Sequence, residues 1–370
     1  MEQCVFDVCR ILTLVRAKMF NATENFNETE FKMWLEFIDR MIAEESAVLR
    51  TLTIISMYIM FFASVIGNSI TCIVIYYDRS MHTATNFYLF NLAISDLIVS
   101  FILIFEGNEL KIQLPSETLS YIHLGRVACK TYFIVIGALW NNSILILTAL
   151  SIERYVAICY PLLLKTKSVW RRVTKIIVVI WIIAIMETIP ELWTSDLLTT
   201  SKYSLCTMVP TPYAKTTNGV MAVLTFILPL SIMTFVYSMI AWELRTSQKC
   251  RPHDNVFNQR NNRRKVNKLI VALTLGFLIS WLPFFSLRMS LFIYDITHIV
   301  NMEKWWRIGF NLTLFNSWFS TVLNPLLFSL MSTKFRRSLR LFWKKKIKRE
   351  SEVIRPCNRS AKLCATSDDI

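Results

Sequence analysis

Seven mainly apolar stretches recur along this chain, at 52–77, 86–105, 127–159, 176–193, 220–242, 269–294 and 306–330. A helix needs roughly 20 such residues to cross a bilayer. In hydrocarbon every backbone amide must be satisfied within its own segment, so stretches of this kind dictate helices. The third is the longest and must tilt or project from the membrane. No Gly-Ser or Pro-rich linker separates them. The expected fold class is all-α, a seven-transmembrane helix bundle over residues 51–330 with an amino-terminal tail at 1–50 and a carboxyl-terminal segment at 331–370. Only 18% of the residues are charged, whereas a soluble domain carries about 25%. No basic segment followed by a short apolar core and a cleavage site opens the sequence, so the first span is expected to begin insertion.

Orientation follows from the bias of Lys and Arg toward cytoplasmic connections. Lys165, Lys167, Arg171, Arg172 and Lys175 follow the third stretch without an acid. Bases from Arg245 to Lys268 follow the fifth against Asp254 alone, and those from Lys334 to Arg349 follow the seventh before Glu350. The alternate connections hold Glu106, Glu109 and Glu117, then Glu191 and Asp196, then Asp295 and Glu303. The amino terminus is therefore expected outside the plasma membrane and the carboxyl terminus inside.

The sequons at Asn21 and Asn27 fall on the side this count places outside, where glycosylation is expected. Asn141, Asn311 and Asn358 head the same pattern in spans or in the inner tail. Residues 334–349 alternate Phe335, Leu339, Phe342 and Trp343 with bases, the pattern of a short amphipathic helix on the inner leaflet. Anionic membrane lipid would hold it, at about 1 kcal/mol per base.

The formal charge of +15 sits in particular connections rather than on one soluble face, which argues against nucleic acid as a partner. Nine cysteines include no CxxC pair. His82, His123, His253 and His298 are scattered, so no metal cluster and no histidine-based triad is expected. No set of acids or nucleophiles converges within the spans, so no catalytic residue and no enzyme is expected. A multi-span transporter often shows repeated halves, and these spans are unlike one another.

Polar residues inside spans are costly and mark function by default. They occur here as Gly67-Asn68 in the first span, Leu92-Ala93-Ile94-Ser95-Asp96 in the second and Glu153-Arg154-Tyr155 at the end of the third. Trp181 follows in the fourth, Pro229 and Tyr237 in the fifth, Phe277 with Ser280-Trp281-Leu282-Pro283 in the sixth, and Asn324-Pro325 in the seventh. In order and position these resemble the signature set of the rhodopsin (class A) family of G-protein-coupled receptors, over about residues 51–343.

That resemblance implies a receptor for an extracellular ligand with a heterotrimeric G protein as partner, and arrestin as a further one. Glu153, Arg154 and Tyr155 would form the coupling element, with Arg154 exchanging partners on activation and Pro161-Leu162 inserting an apolar knob into the G protein. Tyr237, Asn324, Pro325 and Phe328 would complete it, with Phe328 standing where the family usually has Tyr. Phe277 and Trp281 would be a packing switch between helices kinked by Pro283 and Pro229. Asp96, Asn68, Ser143, Ser320 and Asn324 are similar to the family's polar network, which holds either a sodium ion or a protonated Asp96 satisfied by hydroxyls. No other cofactor is implied. Cys129 and Cys206 match the family's disulfide; Cys4 and Cys9 have no assigned state.

Residues 131–140 contain no acid, and Ile136 stands where aminergic members carry Asp, which disfavours a biogenic amine. Glu106 and Glu187 near the outer helix ends, with Phe285 and Arg288 in the sixth span, are the expected ligand contacts, complementary to a cationic or amidated peptide. The run from Met81 to Ala93 resembles the neuromedin U, neurotensin and ghrelin receptor branch with its invertebrate pyrokinin and capa relatives. Gly137 departs from that branch's acid in the third helix, and Phe285 from its common His. No proline stands near Phe105-Glu106, where the branch has one. The alternative to a neuropeptide receptor is an orphan or lipid-sensing receptor of the same family.

Overall fold

Many polar side chains of the spans turn inward in this protein, and many large apolar ones turn outward. Ser64, Asn68, Ser95, Asp96, Asn141 and Asn142 are buried, while Ile59, Phe62, Val178, Ile182, Phe235 and Ile279 are more than half exposed. Such an inversion is stable only where hydrocarbon surrounds the bundle.

The computed structural model describes residues 28–43, 47–112, 125–160, 168–199, 204–209, 211–250 and 255–354. Helices α1 (Glu28–Ala43), α2 (Ala47–Tyr77), α3 (Ala84–Ile112), α4 (Gly125–Cys159) and α5 (Val169–Thr188) come first. A 3-10 turn (Ile189–Trp193) leads into an antiparallel hairpin of β1 (Ser195–Thr199) and β2 (Ser204–Met208). Helix α6 (Pro212–Ala222) passes through a π-helical turn (Val223–Ile227) into α7 (Leu228–Cys250), and these form one span. Helices α8 (Asn255–Ile293), α9 (Ile296–Asn301), α10 (Glu303–Met331) and α11 (Thr333–Ile354) complete the chain.

Six helices among the described residues are long and apolar enough to cross a membrane. The seventh span, α10, is 29 residues long, but Asn311, Asn316 and Asn324 lower its hydropathy. It belongs to the bundle by its packing against α8, α2 and α3. Where α10 meets α2, a Cβ on Gly67 would lie 2.9 Å from the ring of Pro325, so this crossing needs glycine. The long third stretch is α4, which packs on α3, α5 and α7 and forms the bundle's centre.

Local chemistry sets the boundaries. Thr211 caps α6 by accepting from the Ala214 amide at 3.0 Å, with Pro212 in the first turn. The fourth span begins at Val169, seven residues before the expected 176, because Trp170, Arg171 and Arg172 add an interfacial turn to the apolar run. Beyond α10, Phe335 is 2% exposed and α11 packs on α2 and α10, so the amphipathic helix expected at 334–349 is formed.

Two features were not expected. The hairpin adds strand to an otherwise helical chain. In addition, α1 folds within what the sequence suggests is a tail. Trp34, Phe37 and Ile38 on one face of α1 are buried against Ile296 and Ile299 of α9, and Arg40 pairs with Glu303 at 3.6 Å.

Candidate functional site

At the end of the bundle that carries the hairpin, the Cys129–Cys206 disulfide joins the first turn of α4 to β2. Arg126 pairs with Asp196 at 2.8 Å, and Lys130 Nζ donates to the Leu192 carbonyl at 2.7 Å. These ties hold the 3-10 turn over the bundle and carry Glu191 inward. Its carboxylate accepts from Arg288 Nη2 at 2.7 Å, and both residues are buried. The Arg288 guanidinium also lies 5.9 Å from the Phe284 ring centroid.

This ion pair borders a cavity of about 20 Å³ with Gly137, Trp140, Phe284 and Phe285. A Cβ on Gly137 would stand 2.8 Å from Thr188 Cγ2 and 3.4 Å from Glu191 Oε2. The carboxylate of Glu191 thus fills space that a side chain on α4 would claim. Sequence reading counts Glu191 among the acids near the outer helix ends that favour a peptide, but not among the expected ligand contacts; the available signal was an acid directly after Pro190 at the end of an apolar span.

The other expected contacts are distributed differently. Phe285 borders the cavity and stacks on Phe226 at 4.2 Å. Glu187 does not line it, and one of its carboxylate oxygens is buried without a hydrogen-bond partner. Glu106 lies outside the described side chains, and Asn21 and Asn27 lie outside the described residues.

An aromatic ladder descends from the cavity. Phe284 meets Trp140 at 5.2 Å, Trp140 meets Trp281 at 4.6 Å, and Trp281 meets Phe277 at 5.8 Å. Below it a second cavity, also about 20 Å³, is bordered by Asp96, Ser143, Ser320, Asn324 and Trp281. That volume suits one water-sized body. Asn324 Nδ2 donates to Asp96 at 2.9 Å, while Ser143 and Ser320 donate to the carbonyls of Leu139 and Ser317. The serine lone pairs remain available, so with the carboxylate they form a hard-oxygen set that fits a small cation. Asn68 does not line this cavity; it donates to Ser64 and to the Thr321 carbonyl at 2.9 Å and ties α2 to α10. No cluster of three or more His, Cys, Asp or Glu occurs among the described residues.

At the opposite end, the carboxylate of Glu153 accepts from Arg172 of α5. Arg154 Nε is buried without a hydrogen-bond partner. The Tyr237 hydroxyl bonds to Ser151 of α4 at 2.6 Å and to Thr274 of α8 at 2.7 Å. Tyr155 meets Tyr160 edge-on at 5.9 Å. Pro161 and Leu162 lie outside the described residues.

Residues 67–328 match the 7 transmembrane receptor (rhodopsin family) model. The chain belongs to the rhodopsin family of receptors. It is 28% identical to neuromedin-U receptor 1 of Rattus norvegicus over 85% of this chain and 80% of that protein. It is equally identical to the pyrokinin-1 receptor of Drosophila melanogaster, with 78% and 79% covered. The neuromedin U receptor homolog nmur-2 of Caenorhabditis elegans is also 28% identical, with 86% and 85% covered.

In this rhodopsin-family receptor, Phe328 is 2% exposed and packs on Phe335 of α11 at 4.6 Å. The departure from Tyr therefore has a packing partner. It also leaves the Tyr237 hydroxyl to its two neighbours on α4 and α8. Pro229 and Pro283 sit inside the spans flanking the ladder, and Pro325 lies against Gly67.

Proposed function

We propose that this receptor is activated by an extracellular neuropeptide and signals through a heterotrimeric G protein, with its amino terminus outside the plasma membrane. The relatives named as neuromedin-U and pyrokinin receptors support a peptide ligand. The clustering of bases at the Arg154 end supports the orientation.

The observation that carries the reading is the buried Glu191–Arg288 pair, placed directly on the aromatic ladder. A guanidinium beside a carboxylate presents donors and an acceptor to a polar chain end. Displacing only one partner would strand a buried charge, so a matching ligand replaces both contacts together. Movement of Arg288 and Phe284 passes through Trp140 to Trp281, between the spans that hold Pro229 and Pro283. At the inner end, Arg154 and the Pro161-Leu162 knob meet the G protein, and coupling between the two ends is reciprocal.

A sodium ion held by Asp96, Ser143 and Ser320 would oppose collapse of the second cavity and so favour the resting arrangement. Anionic lipid holds α11, arrestin uses the same inner face as the G protein, and Asn21 and Asn27 carry glycans. Cells expressing the receptor and screened with amidated peptides give a G-protein signal that Arg288→Ala or Glu106→Gln weakens. A response to a lipid with none to any peptide would overturn the peptide reading.

A further inference from the structure

Glu153 has two arginines to choose between, and it takes the one from the neighbouring helix. Arg154 is its sequence neighbour, yet the ion pair runs to Arg172, eighteen residues beyond Arg154, on the first turn of α5. The Glu153 side chain is 8% exposed and that of Arg172 17%. Arg172 stands in the first turn of α5, where the positive end of the helix disfavours a guanidinium. Pairing with Glu153 across the α4–α5 contact offsets that penalty.

The pair is also incompletely satisfied. Arg172 Nε and Nη1 are buried without hydrogen-bond partners, and so is the hydroxyl of Tyr88, which feels both charges. Arg154 Nε is likewise buried and unpartnered. The arrangement has one carboxylate and two guanidiniums, and its state depends on which of them the carboxylate holds.

We infer that Arg172 is a positioning residue for G-protein coupling: by holding Glu153 it keeps that carboxylate off Arg154 and leaves Arg154 available at the inner face. This rests on the coupling reading given above. Without Arg172, Glu153 is a buried carboxylate beside Arg154, whose guanidinium already feels its charge, and the two form the clamp that the present pairing prevents. Arg172 therefore acts through Glu153 and touches no G protein itself.

The test uses the full-length receptor in lipid nanodiscs with purified nucleotide-free heterotrimers from each Gα class, so no ligand has to be identified. Arg172→Met should weaken heterotrimer affinity roughly tenfold, within the usual range of coupling between sites. Glu153→Gln added to Arg172→Met should restore most of that loss, because the competing carboxylate is then gone. A merely structural role for Arg172 predicts that affinity falls and recovers only in step with thermal stability. Thermal denaturation of each variant separates loss of fold from loss of coupling. If Arg172→Met does not fold, Arg172→Lys, which keeps the charge but loses the planar fork, should give an intermediate affinity that Glu153→Gln again raises. Unchanged affinity in Arg172→Met, or a double variant as weak as the single one, overturns the inference. A wild-type receptor that binds no heterotrimer overturns the coupling reading and this inference with it, and is told apart because every variant is then silent.

Discussion

Tyr237 and Thr274 share a hydrogen bond of 2.7 Å, and through the same hydroxyl Tyr237 reaches Ser151 at 2.6 Å. One phenol thus fastens α8 to α4 at the end of the bundle that carries Arg154. Phe328 of α10 carries no hydroxyl and packs on Phe335, so it offers the phenol no hydrogen-bond partner. Thr274→Val should loosen this fastening and raise ligand-independent nucleotide exchange by roughly 2- to 10-fold, the worth of one neutral hydrogen bond. Exchange measured in membranes at matched receptor density checks this, and an unchanged or lowered rate refutes it.

Glu191 and Arg288 are buried together, so removing either one leaves the other uncompensated. Arg288→Gln is expected to cost about 3–5 kcal/mol of stability. Glu191→Gln combined with it should cost clearly less than the sum of the two single changes. Thermal denaturation of the purified variants measures both, and strict additivity would show that the two side chains are not coupled.

Helix α1 docks by Trp34 and Phe37, which stack on each other at 5.4 Å, while Phe37 meets Trp306 edge-on at 6.4 Å. Trp34→Ala should remove about 2 kcal/mol of docking energy. Hydrogen exchange is the appropriate probe: protection across residues 28–43 should fall while that of the spans is unchanged. A uniform loss across the bundle would mean that α1 is integral to the fold rather than docked on it.

Much of this was readable beforehand, for identifiable reasons. Apolar length alone located the spans, since a run of about 20 apolar residues satisfies its backbone in hydrocarbon as a helix, and Asp96 and Asn324 stood out as polar residues in apolar runs. The aromatic positions Phe277 and Trp281 followed from the family pattern. What escaped depends on distance in sequence. Glu191 and Arg288 are 97 residues apart, and nothing local says that a 3-10 turn will carry the acid inward. Arg172 looked like one more loop cation until α5 proved to begin at Val169. Helix α1 was legible in principle, because Trp34, Phe37 and Ile38 have helical spacing, but the surrounding acids marked the segment as a tail.

Asp78, in the short connection after α2, ties that helix to α11. The Ser338 hydroxyl holds its carboxyl below the ordinary carboxylate range, against a smaller opposing effect of burial, with Ser80 and Lys334 acting in the same sense as Ser338. Lys334 also donates to the Ser80 carbonyl. A carboxylate depressed in the folded state contributes fully above its unfolded value and loses that contribution as pH falls through the folded one. Docking of α11 should therefore be flat from about pH 5 to about pH 8 and weaken only below about pH 4. Spin labels on cysteines introduced at Tyr76 and Leu341 would report the separation, and Asp78→Asn should reproduce the acid state at neutral pH. A transition near neutrality in the wild-type receptor would contradict this.

The turn at Val223–Ile227 closes its hydrogen bonds one residue later than the helices on either side. The fifth span is therefore two stretches out of phase, and the upper one presents Thr217, Asn218 and Gly219 to the bundle, with Gly219 seated against the ring of Phe292. Straightening that turn into ordinary α geometry with all of its residues kept would swing the upper half by up to about 100°, the angle one residue occupies. A receptor so straightened keeps its other half in register and turns Thr217, Asn218 and Gly219 away from the bundle.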